Sequence, residues 1–457
     1  MKKLLCFMLT LALLCAPFAG CGNDDFLPPP EDGSREESSS QQEDEKDKED
    51  KKDSRPEVIV CLDLIRTYNI SNDLNDILKE MEGYKKGFKV TMDLVPGEGG
   101  ERESTLTRIR TEMMSGGGPD VFFCACARPG TEFFPQEEQG LFHYPKALME
   151  RNMFLPLDGY MESAQQMDTA GMYPQILDAG KDSQGRQQLL PMGWTTNVLM
   201  VDKDKYNPSV QLPITWEEML ASDDPALQNA VWSNYFGGSL GQLADYSKDE
   251  PSFTLEELSA HLEAAAQNLE QRMNGEIDSM MADGEPYAIP GDAIGRPNPS
   301  WFCRQRPDAY LIPQYNRHGG ATAWITAFAA VNANTRQPEL AFRVVDTVLS
   351  RDNQQNSQLY SWIKGMPVYR ELLREDYPVN EPYQYHGIDH KTWRLSDWNH
   401  DQLDMVVEQM TDVDFYTPLN HELCQLYDAY NKESDPQKRE SLVKEKYTTI
   451  QMLLAES

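Results

Sequence analysis

The chain lacks the positive charge that a nucleic-acid-binding protein needs. Of its 457 residues, 42 are Lys or Arg and 74 are Asp or Glu, which gives a net charge of −32 at pH 7. Because contact with nucleic-acid phosphates requires a basic face, this balance argues against a DNA or RNA partner. No repeat of 20–50 residues is visible either, which excludes solenoids and propellers.

Long apolar runs are missing everywhere except at the extreme N-terminus, which excludes a multi-pass membrane protein. Residues 4–18 are almost wholly apolar and follow Lys2 and Lys3. At about 15 residues the run is shorter than the roughly 20 that a spanning helix needs. The pattern is typical of an export signal, and we assign it to residues 1–20.

The signal ends in Phe18-Ala19-Gly20-Cys21, which resembles the lipobox of bacterial lipoproteins. The resemblance implies that Cys21 carries a lipid such as palmitate and becomes the first residue of the mature chain. Such a protein would be anchored on the extracellular face of the cell membrane, or on the periplasmic side. The alternative is ordinary signal cleavage that leaves Cys21 as a thiol.

Residues 21–55 contain almost nothing apolar to bury. They hold three consecutive prolines, a short serine run and a stretch of mixed charge. A segment of this composition cannot compensate the entropy cost of folding, so we expect a disordered acidic tether.

Cysteine is scarce, with eight in the chain, of which two leave with the signal and one is the lipidation candidate. An odd number remains, and three of these lie in apolar, strand-like runs. Buried thiols are therefore favoured over a single disulfide. Zinc is not expected, because Cys124 and Cys126 lack a second ligand pair at metal spacing. The remaining cysteines are Cys61, Cys124, Cys126, Cys303 and Cys424.

The N-terminal part of the body alternates between strand and helix patterns. Residues 58–62 form a continuous apolar run, 72–83 and 105–115 have helical spacing, and 88–95 and 121–126 are strand-like. This order predicts an open α/β sheet. Ligands of such sheets bind beyond the carboxyl ends of the strands, here the loops after Cys61 and Cys126. Farther along, residues 255–273 and 338–350 have amphipathic helical spacing, and the spacing also predicts helices in the tail at about 401–409, 421–431 and 436–456.

One catalytic pattern occurs and is set aside. Residues 237–241, G-G-S-L-G, match the G-x-S-x-G nucleophile elbow. That elbow needs a strand entering and a helix leaving, and residues 232–236 are not a clear strand. We interpret the motif as a glycine-rich loop, and no pair of carboxylates stands out for a hydrolase.

Tryptophans beside glycine and amide residues point to a sugar ligand. Trp194 lies in P-M-G-W-T-T-N and Trp324 follows Gly319-Gly320. Aromatic faces with nearby amides and hydroxyls suit sugars, whose C–H faces are apolar and whose rims are polar. The other reading is that these residues belong to the core.

Six segments, in order, resemble the bacterial extracellular solute-binding proteins of ABC transporters, the family that includes maltose-binding protein. They are S-G-G-G-P-D-V at 115–121, F-L-P-L-D at 154–158, V-D-K-D at 201–204, T-W-E-E-M at 215–219, E-L-A-F at 339–342 and G-M-P-V at 365–368.

The resemblance implies an α/β fold with two lobes, a ligand cleft between them and three hinge crossings, near 191–197, 317–324 and 365–369. The first lobe would hold residues 57–192 and 322–366, and the second 195–318 and 370–457. The monomeric protein would close on a small-molecule solute and dock on an ABC permease. No cofactor, metal or catalytic residue is expected.

We predict ligand contacts on the basis of this resemblance. Trp194, Trp324, Trp301 and Tyr235 would offer stacking surfaces, while Tyr68 and Arg128 would donate hydrogen bonds and Asp292 would accept them from hydroxyls. Arg128 could instead pair with a carboxylate, as an acidic sugar or peptide would require.

Two other functions remain open at this stage. A sensor lipoprotein would report a solute to a signalling partner without transport. A lipid-anchored glycan hydrolase would need two carboxylates flanking a cleft.

Overall fold

The computed structural model describes the body of the chain. It covers residues 54–64, 70–97, 99–126, 140–206, 213–231, 236–282, 285–286, 288–291, 308–355, 365–374, 377–385, 388–393 and 396–457. Residues Ser54–Ser457 form a compact unit by themselves. The predicted signal and residues 21–53 of the predicted tether lie outside the described residues. Within those residues, no helix has the length and apolarity needed to cross a membrane.

The first elements follow the predicted alternation of strand and helix. They are β1 (Glu57–Asp63), α1 (Ile70–Leu78), β2 (Lys89–Leu94), α2 (Gly100–Met114) and β3 (Val121–Ala125). Strand β1 pairs in parallel with both β2 and β3. Its apolar run is buried because neighbours cover both faces, as in inner parallel strands. The predicted open α/β sheet is confirmed, although α2 begins five residues earlier than its apolar spacing indicated.

The central part of the chain contains short helices and a second, smaller sheet. Its elements are α3 (Pro145–Glu150), α4 (Asp158–Met161), α5 (Pro174–Asp178), β4 (Leu189–Thr196), β5 (Val198–Val201), α6 (Trp216–Ala221), α7 (Pro225–Ala230), β6 (Ala244–Asp245), β7 (Glu250–Pro251), α8 (Leu255–Met273), β8 (Met281–Ala282), β9 (Glu285–Pro286), β10 (Ala288–Gly291) and β11 (Tyr310–Pro313). Helix α8 has the bounds that the sequence predicted. Its start is fixed by a capping box, in which the side chains of Thr254 and Glu257 each accept a hydrogen bond from the other's backbone N–H.

The last part of the chain returns to the large sheet and then forms the helical tail. Its elements are β12 (Ala321–Val331), α9 (Pro338–Val348), α10 (Arg351–Gln355), β13 (Met366–Pro367), β14 (Tyr377–Tyr385), β15 (Ile388–Trp393), α11 (Asp397–Glu408), β16 (Met410–Phe415), α12 (Pro418–Lys432) and α13 (Pro436–Glu456). The three predicted tail helices are confirmed as α11, α12 and α13.

Strand β12 organises the large sheet, whose order is β13-β4-β12-β3-β1-β2. Its second half pairs antiparallel with β3 and β4, and its first half pairs in parallel with β16. The smaller sheet has the order β10-β5-β11. The chain passes from the large sheet to the small one between β4 and β5, where only Asn197 separates the two strands.

Buried thiols lie in the core of the large sheet, as predicted. Cys61 on β1 and Cys124 on β3 are both buried and unbridged. Burial raises the pKa of both thiols well above its ordinary value, because a thiolate would lose its hydration there.

The G-x-S-x-G segment forms a 3₁₀ turn (Phe236–Leu240), and the predicted glycine-rich loop is confirmed. Ser239 is 1% exposed, and its Oγ lies 2.7 Å from Nε2 of the buried His261. The His261 ring stacks on Trp216 with centroids 3.8 Å apart. Burial, with the nearby positive charge of Arg317, lowers the pKa of His261 to about 3. The pair is therefore part of the packing of the core.

We expect Gly180→Ala to destabilise the protein by about 3 kcal/mol. A Cβ at this position would lie 1.9 Å from the carbonyl oxygen of Leu189, so the backbone would have to move. Gly159→Ala, in helix α4, is the matched control, because nothing lies within 4 Å of the position that a Cβ would take there. Denaturant unfolding measures both, and equal stability of the two variants would contradict the packing described.

Stability should fall with acid because His261 stays neutral when folded. Below its ordinary pKa of 6.5 the unfolded chain binds a proton that the folded chain does not take up until about pH 3. His261→Gln removes this term, so the stability gap between wild type and variant should narrow by about 2–3 kcal/mol between pH 7.5 and 4.5. Ser239→Ala is the control, because it keeps the histidine. The difference in free energy of unfolding between wild type and this variant should stay constant over the same pH range. A constant gap for His261→Gln would show that the folded histidine titrates normally.

Candidate functional site

The first half of β12 has two chemically different faces. Successive side chains of a strand alternate between the faces of its sheet. Ala321, Ala323 and Ile325 pack in the main hydrophobic core. Thr322, Trp324 and Thr326 therefore lie on the opposite face.

The opposite face of β12 receives segments from several parts of the chain. Thr322 Oγ1 donates a hydrogen bond of 2.8 Å to the carbonyl oxygen of Gly238. Trp324 packs with Tyr416 in a small separate cluster. The backbone N–H of Cys126 donates to the carbonyl oxygen of Thr326 at 2.9 Å. The 236–240 turn thus meets β12 at this face, while the bond from Cys126 continues the pairing of β3 with β12 in the plane of the sheet.

A chain of amides lies beside Trp324. Asn197 Nδ2 donates to Gln314 Oε1 at 3.1 Å, and Gln314 Nε2 donates to the carbonyl oxygen of Val231 at 2.6 Å. These bonds orient both amides. Asn197 Oδ1 is buried and accepts no hydrogen bond within the described part of the chain, so an acceptor is left open.

Gly238 allows the amides and the indole to lie together. A Cβ on this glycine would lie 2.9 Å from Gln314 Oε1, 3.2 Å from Asn197 Nδ2 and 3.9 Å from Trp324 Cζ2. The absent side chain therefore leaves all three groups within contact range of one backbone position. We call the set Asn197, Gly238, Gln314, Thr322 and Trp324 the crossing face.

A buried ion pair sits at the carboxyl end of β1, where the sequence predicted ligand-binding loops. Asp63 accepts hydrogen bonds from Arg102 Nη1 at 2.7 Å and from the backbone N–H of Leu141 at 2.6 Å. Burial raises the pKa of Asp63, while Arg102 opposes the shift. Arg110 donates to the carbonyl oxygens of Gly140 and Leu141. Together these bonds fix the chain at the start of the segment that leads to α3.

The two predicted stacking tryptophans that the structure describes occupy different places. Trp324 belongs to the crossing face. Trp194 has no exposed surface, packs edge-on to Tyr173 at 5.5 Å and donates from Nε1 to the carbonyl oxygen of Pro367 at 3.0 Å. Stacking on a ligand requires an uncovered ring face, and neither indole has one in this arrangement, because Trp324 is only 2% exposed.

The other predicted ligand residues, and the predicted lipid site, lie outside the described residues. The residues concerned are Tyr68, Arg128, Tyr235, Asp292, Trp301 and Cys21.

Sequence reasoning missed Asn197 and Gln314 as site residues. Asn197 carried a usable signal, because it ends the predicted crossing at 191–197. Gln314 follows a short strand with no motif around it, so its contact with Asn197, 117 residues away in sequence, has no local signature. Across the described ranges, no group of three His, Cys, Asp or Glu side chains could hold a metal ion.

Comparison with known proteins finds similarity in structure alone. No family model and no curated protein sequence matches the chain. A family 1 extracellular solute-binding protein from Alicyclobacillus acidocaldarius is 12% identical over 88% of this chain and 100% of its own, with a TM-score of 0.52. The sugar-binding protein MalE of Xanthomonas citri is 14% identical over 88% and 98%, with a TM-score of 0.53.

A third structure, the cyclic α-maltosyl-1,6-maltose binding protein of Arthrobacter globiformis, is 13% identical over 88% of this chain and 100% of its own, with a TM-score of 0.50. Identities this low carry the fold and no more. They confirm the fold that the six sequence segments predicted: the chain has the two-lobed α/β fold of the extracellular solute-binding proteins of family 1.

Proposed function

We propose that this protein captures a carbohydrate between its two lobes and delivers it to an ABC permease. The observation that carries the proposal is the crossing face, where the buried Trp324 indole lies beside Asn197 Oδ1, a buried acceptor without a donor among the described residues. An indole suits the C–H face of a sugar ring, and the acceptor suits a hydroxyl. The sugar-binding names of the neighbours from Xanthomonas and Arthrobacter support the same ligand class.

The proposed lobes are residues 57–192 with 322–366 and residues 195–318 with 370–457. On this division Asn197 ends the first crossing, Trp324 ends the second, and β13 lies in the third. A solute on the crossing face would then touch both lobes. Such a ligand favours the closed form because only that form satisfies all its contacts at once.

The proposed mechanism needs no bond to be broken. Opening of the lobes would uncover the Trp324 indole, which is 2% exposed in this structure. The indole then covers the apolar face of the sugar and excludes water. A sugar hydroxyl then donates to Asn197 Oδ1, whose orientation the Gln314 amide holds. Closure raises the number of contacts, and the closed form is the one that a permease would recognise.

The proposal predicts a thermal shift with a carbohydrate. A ligand at 100 times its dissociation constant adds about 2.7 kcal/mol to the free energy of unfolding. Residues 54–457 are unfolded thermally with mono- and oligosaccharides, amino acids and peptides, and the sugar is then recovered and analysed. Intact sugar with a shift supports capture. Cleaved sugar would show that the protein is a glycan hydrolase and overturn the capture function. A thermal shift with amino acids or peptides alone would overturn the carbohydrate assignment.

Trp324→Ala should weaken binding of the responding sugar by about tenfold or more, because the stacking surface is lost. Trp324→Phe keeps an aromatic face and should reduce the affinity for the sugar less than Trp324→Ala does. Trp398→Phe is the control, since Trp398 packs on Tyr310 and donates to the carbonyl oxygen of Ala309, and neither of these residues belongs to the crossing face. Equal affinity of wild type and Trp324→Ala in calorimetric titration would place the ligand elsewhere.

We also propose that Cys21 anchors the protein to the membrane through a lipid. Cells fed an alkynyl palmitate should yield labelled protein in the membrane fraction, because the acylated cysteine starts the mature chain. Cys21→Ala should remove the label and release the protein. Cys15→Ala is the control and should change neither, since that residue lies within the signal. Label that persists in Cys21→Ala would contradict the assignment.

A further inference from the structure

Helix α3 belongs to the first of the two proposed lobes. Met149 packs in the main hydrophobic core, and Glu150 accepts hydrogen bonds from the backbone N–H and the hydroxyl of Ser183 at 2.7 and 2.6 Å. Shortly after the helix, the backbone N–H of Leu155 donates to the carbonyl oxygen of Val331 on β12 at 2.8 Å. These contacts fix α3 to residues of the first lobe.

Two side chains of the same segment are inserted into a core of the second lobe. Tyr144 and Ala147 belong to a buried hydrophobic cluster, and every other buried member of it among the described residues lies in 240–262 or 419–454. Ala147 has no exposed surface, and the ring of Tyr144 lies 6.3 Å from that of Tyr246. Separation of the lobes would expose this apolar surface to water, which costs free energy.

Two ion pairs accompany these apolar contacts. Lys146 Nζ lies 3.2 Å from Asp414 Oδ1 and donates to the carbonyl oxygen of Val413 at 2.8 Å. The side chains of Lys146 and Asp414 are 13% and 2% exposed, so salt and water screen their attraction only weakly. Arg151 Nη2 lies 3.3 Å from Asp249 Oδ1 nearer the surface. Both pairs join the segment of α3 to residues of the second lobe.

Asp414 lies beside the crossing face. Strand β16 pairs with β12 so that Asp414 stands opposite Trp324. Side chains alternate along β16: Val413 and Phe415 pack on the main core, whereas Tyr416 packs on Trp324. Asp414 therefore shares the side of the sheet on which the crossing face lies, and Lys146 approaches it from that side.

The crossing face is covered in this structure, because Asn197, Gln314 and Trp324 are all buried. A solute can reach these groups only after the lobes have separated. Separation breaks the contacts that α3 makes with the second lobe. When only a fraction of molecules is open, the apparent affinity for a ligand falls by that fraction.

We propose that residues 144–151 act as a clamp that holds the lobes together over the crossing face and sets how often it opens. The clamp consists of Tyr144, Lys146, Ala147 and Arg151. The proposal rests on the two lobes and the carbohydrate site of the proposed function, and it adds the contacts that govern access to that site. When the clamp is released, the charged groups of Lys146 and Asp414 regain water, and the indole of Trp324 becomes accessible to a solute.

The distance between two spin labels tests the clamp without a ligand. Met114 on α2 and Met273 on α8 are both exposed, so Met114→Cys and Met273→Cys place one label on each proposed lobe. The chain without its signal is used, with competing thiols removed by Cys21→Ser, Cys303→Ser and Cys424→Ser. The buried thiols that remain are Cys61, Cys124 and Cys126.

Lys146→Met should raise the ratio of open to closed molecules by about tenfold or more, seen as a second label distance, because it removes the counter-charge of the buried Asp414 in the closed form. Lys146→Arg keeps the charge and should retain the wild-type distance. Arg151→Gln breaks an exposed pair and should act in the same direction by a smaller factor. Circular dichroism verifies that each variant folds.

Arg102→Met is the matched control. The side chains of Arg102 and Asp63 are 11% and 1% exposed, almost as in the clamp, but both residues belong to the first lobe. This variant should lower the free energy of unfolding and leave the label distance unchanged. An unchanged distance in Lys146→Met, or the same second distance in Arg102→Met, would overturn the clamp.

Stopped-flow binding of the sugar that shifts thermal unfolding gives a second readout. Association with Lys146→Met should be faster by about the factor by which the open population rises. If no sugar binds, the capture function fails while the label distances still test the clamp. If a sugar binds and neither the distances nor the association rate change, the clamp fails and the capture function stands.

Discussion

The pairing of β12 with three other strands is the constraint on which the rest of the molecule depends. One half of this strand closes the large sheet between β3 and β4, and the other half carries β16 beside it. The backbone hydrogen bonds of one segment therefore hold the N-terminal sheet and the C-terminal helical region in a fixed relation. Because side chains alternate along a strand, the same segment supplies core alanines on one face and the polar and aromatic groups of the crossing face on the other.

Polar groups at the crossing between sheets are satisfied through long-range contacts. Asn197 and Gln314 hold one another, and Asp412 on β16 accepts hydrogen bonds from Asn316, Thr411 and the backbone of Gln242. Burial acts to raise the pKa of Asp412, but hydrogen bonds from His318, from the backbone of Gln242 and from Thr411 hold it below its ordinary value. A buried polar network of this kind specifies geometry because each member is costly to leave unpaired. Asn197 Oδ1 departs from this pattern, because it is buried and accepts no hydrogen bond from the described residues.

Much of the fold could be predicted from the sequence because the signals are local. The apolar run of β1 and the capped, periodic helix α8 are each determined by neighbouring residues. The candidate site was harder to predict. Trp194 and Trp324 both stand near glycine and threonine, yet Tyr173 and Pro367 enclose the first, and the crossing face includes the second. The residues that surround each tryptophan are remote from it in sequence. The sequence near Trp194 and Trp324 therefore does not tell the two environments apart.

The late position of β12 in the chain also sets the order in which the sheet can assemble. Strand β3 ends at Ala125, but the edge it offers is not paired until residues 327–331 have been made. During that interval an apolar strand with unsatisfied backbone groups is exposed, which is the condition that favours intermolecular pairing. A chain built in this way cannot complete its large sheet until the strand in its last third has been made.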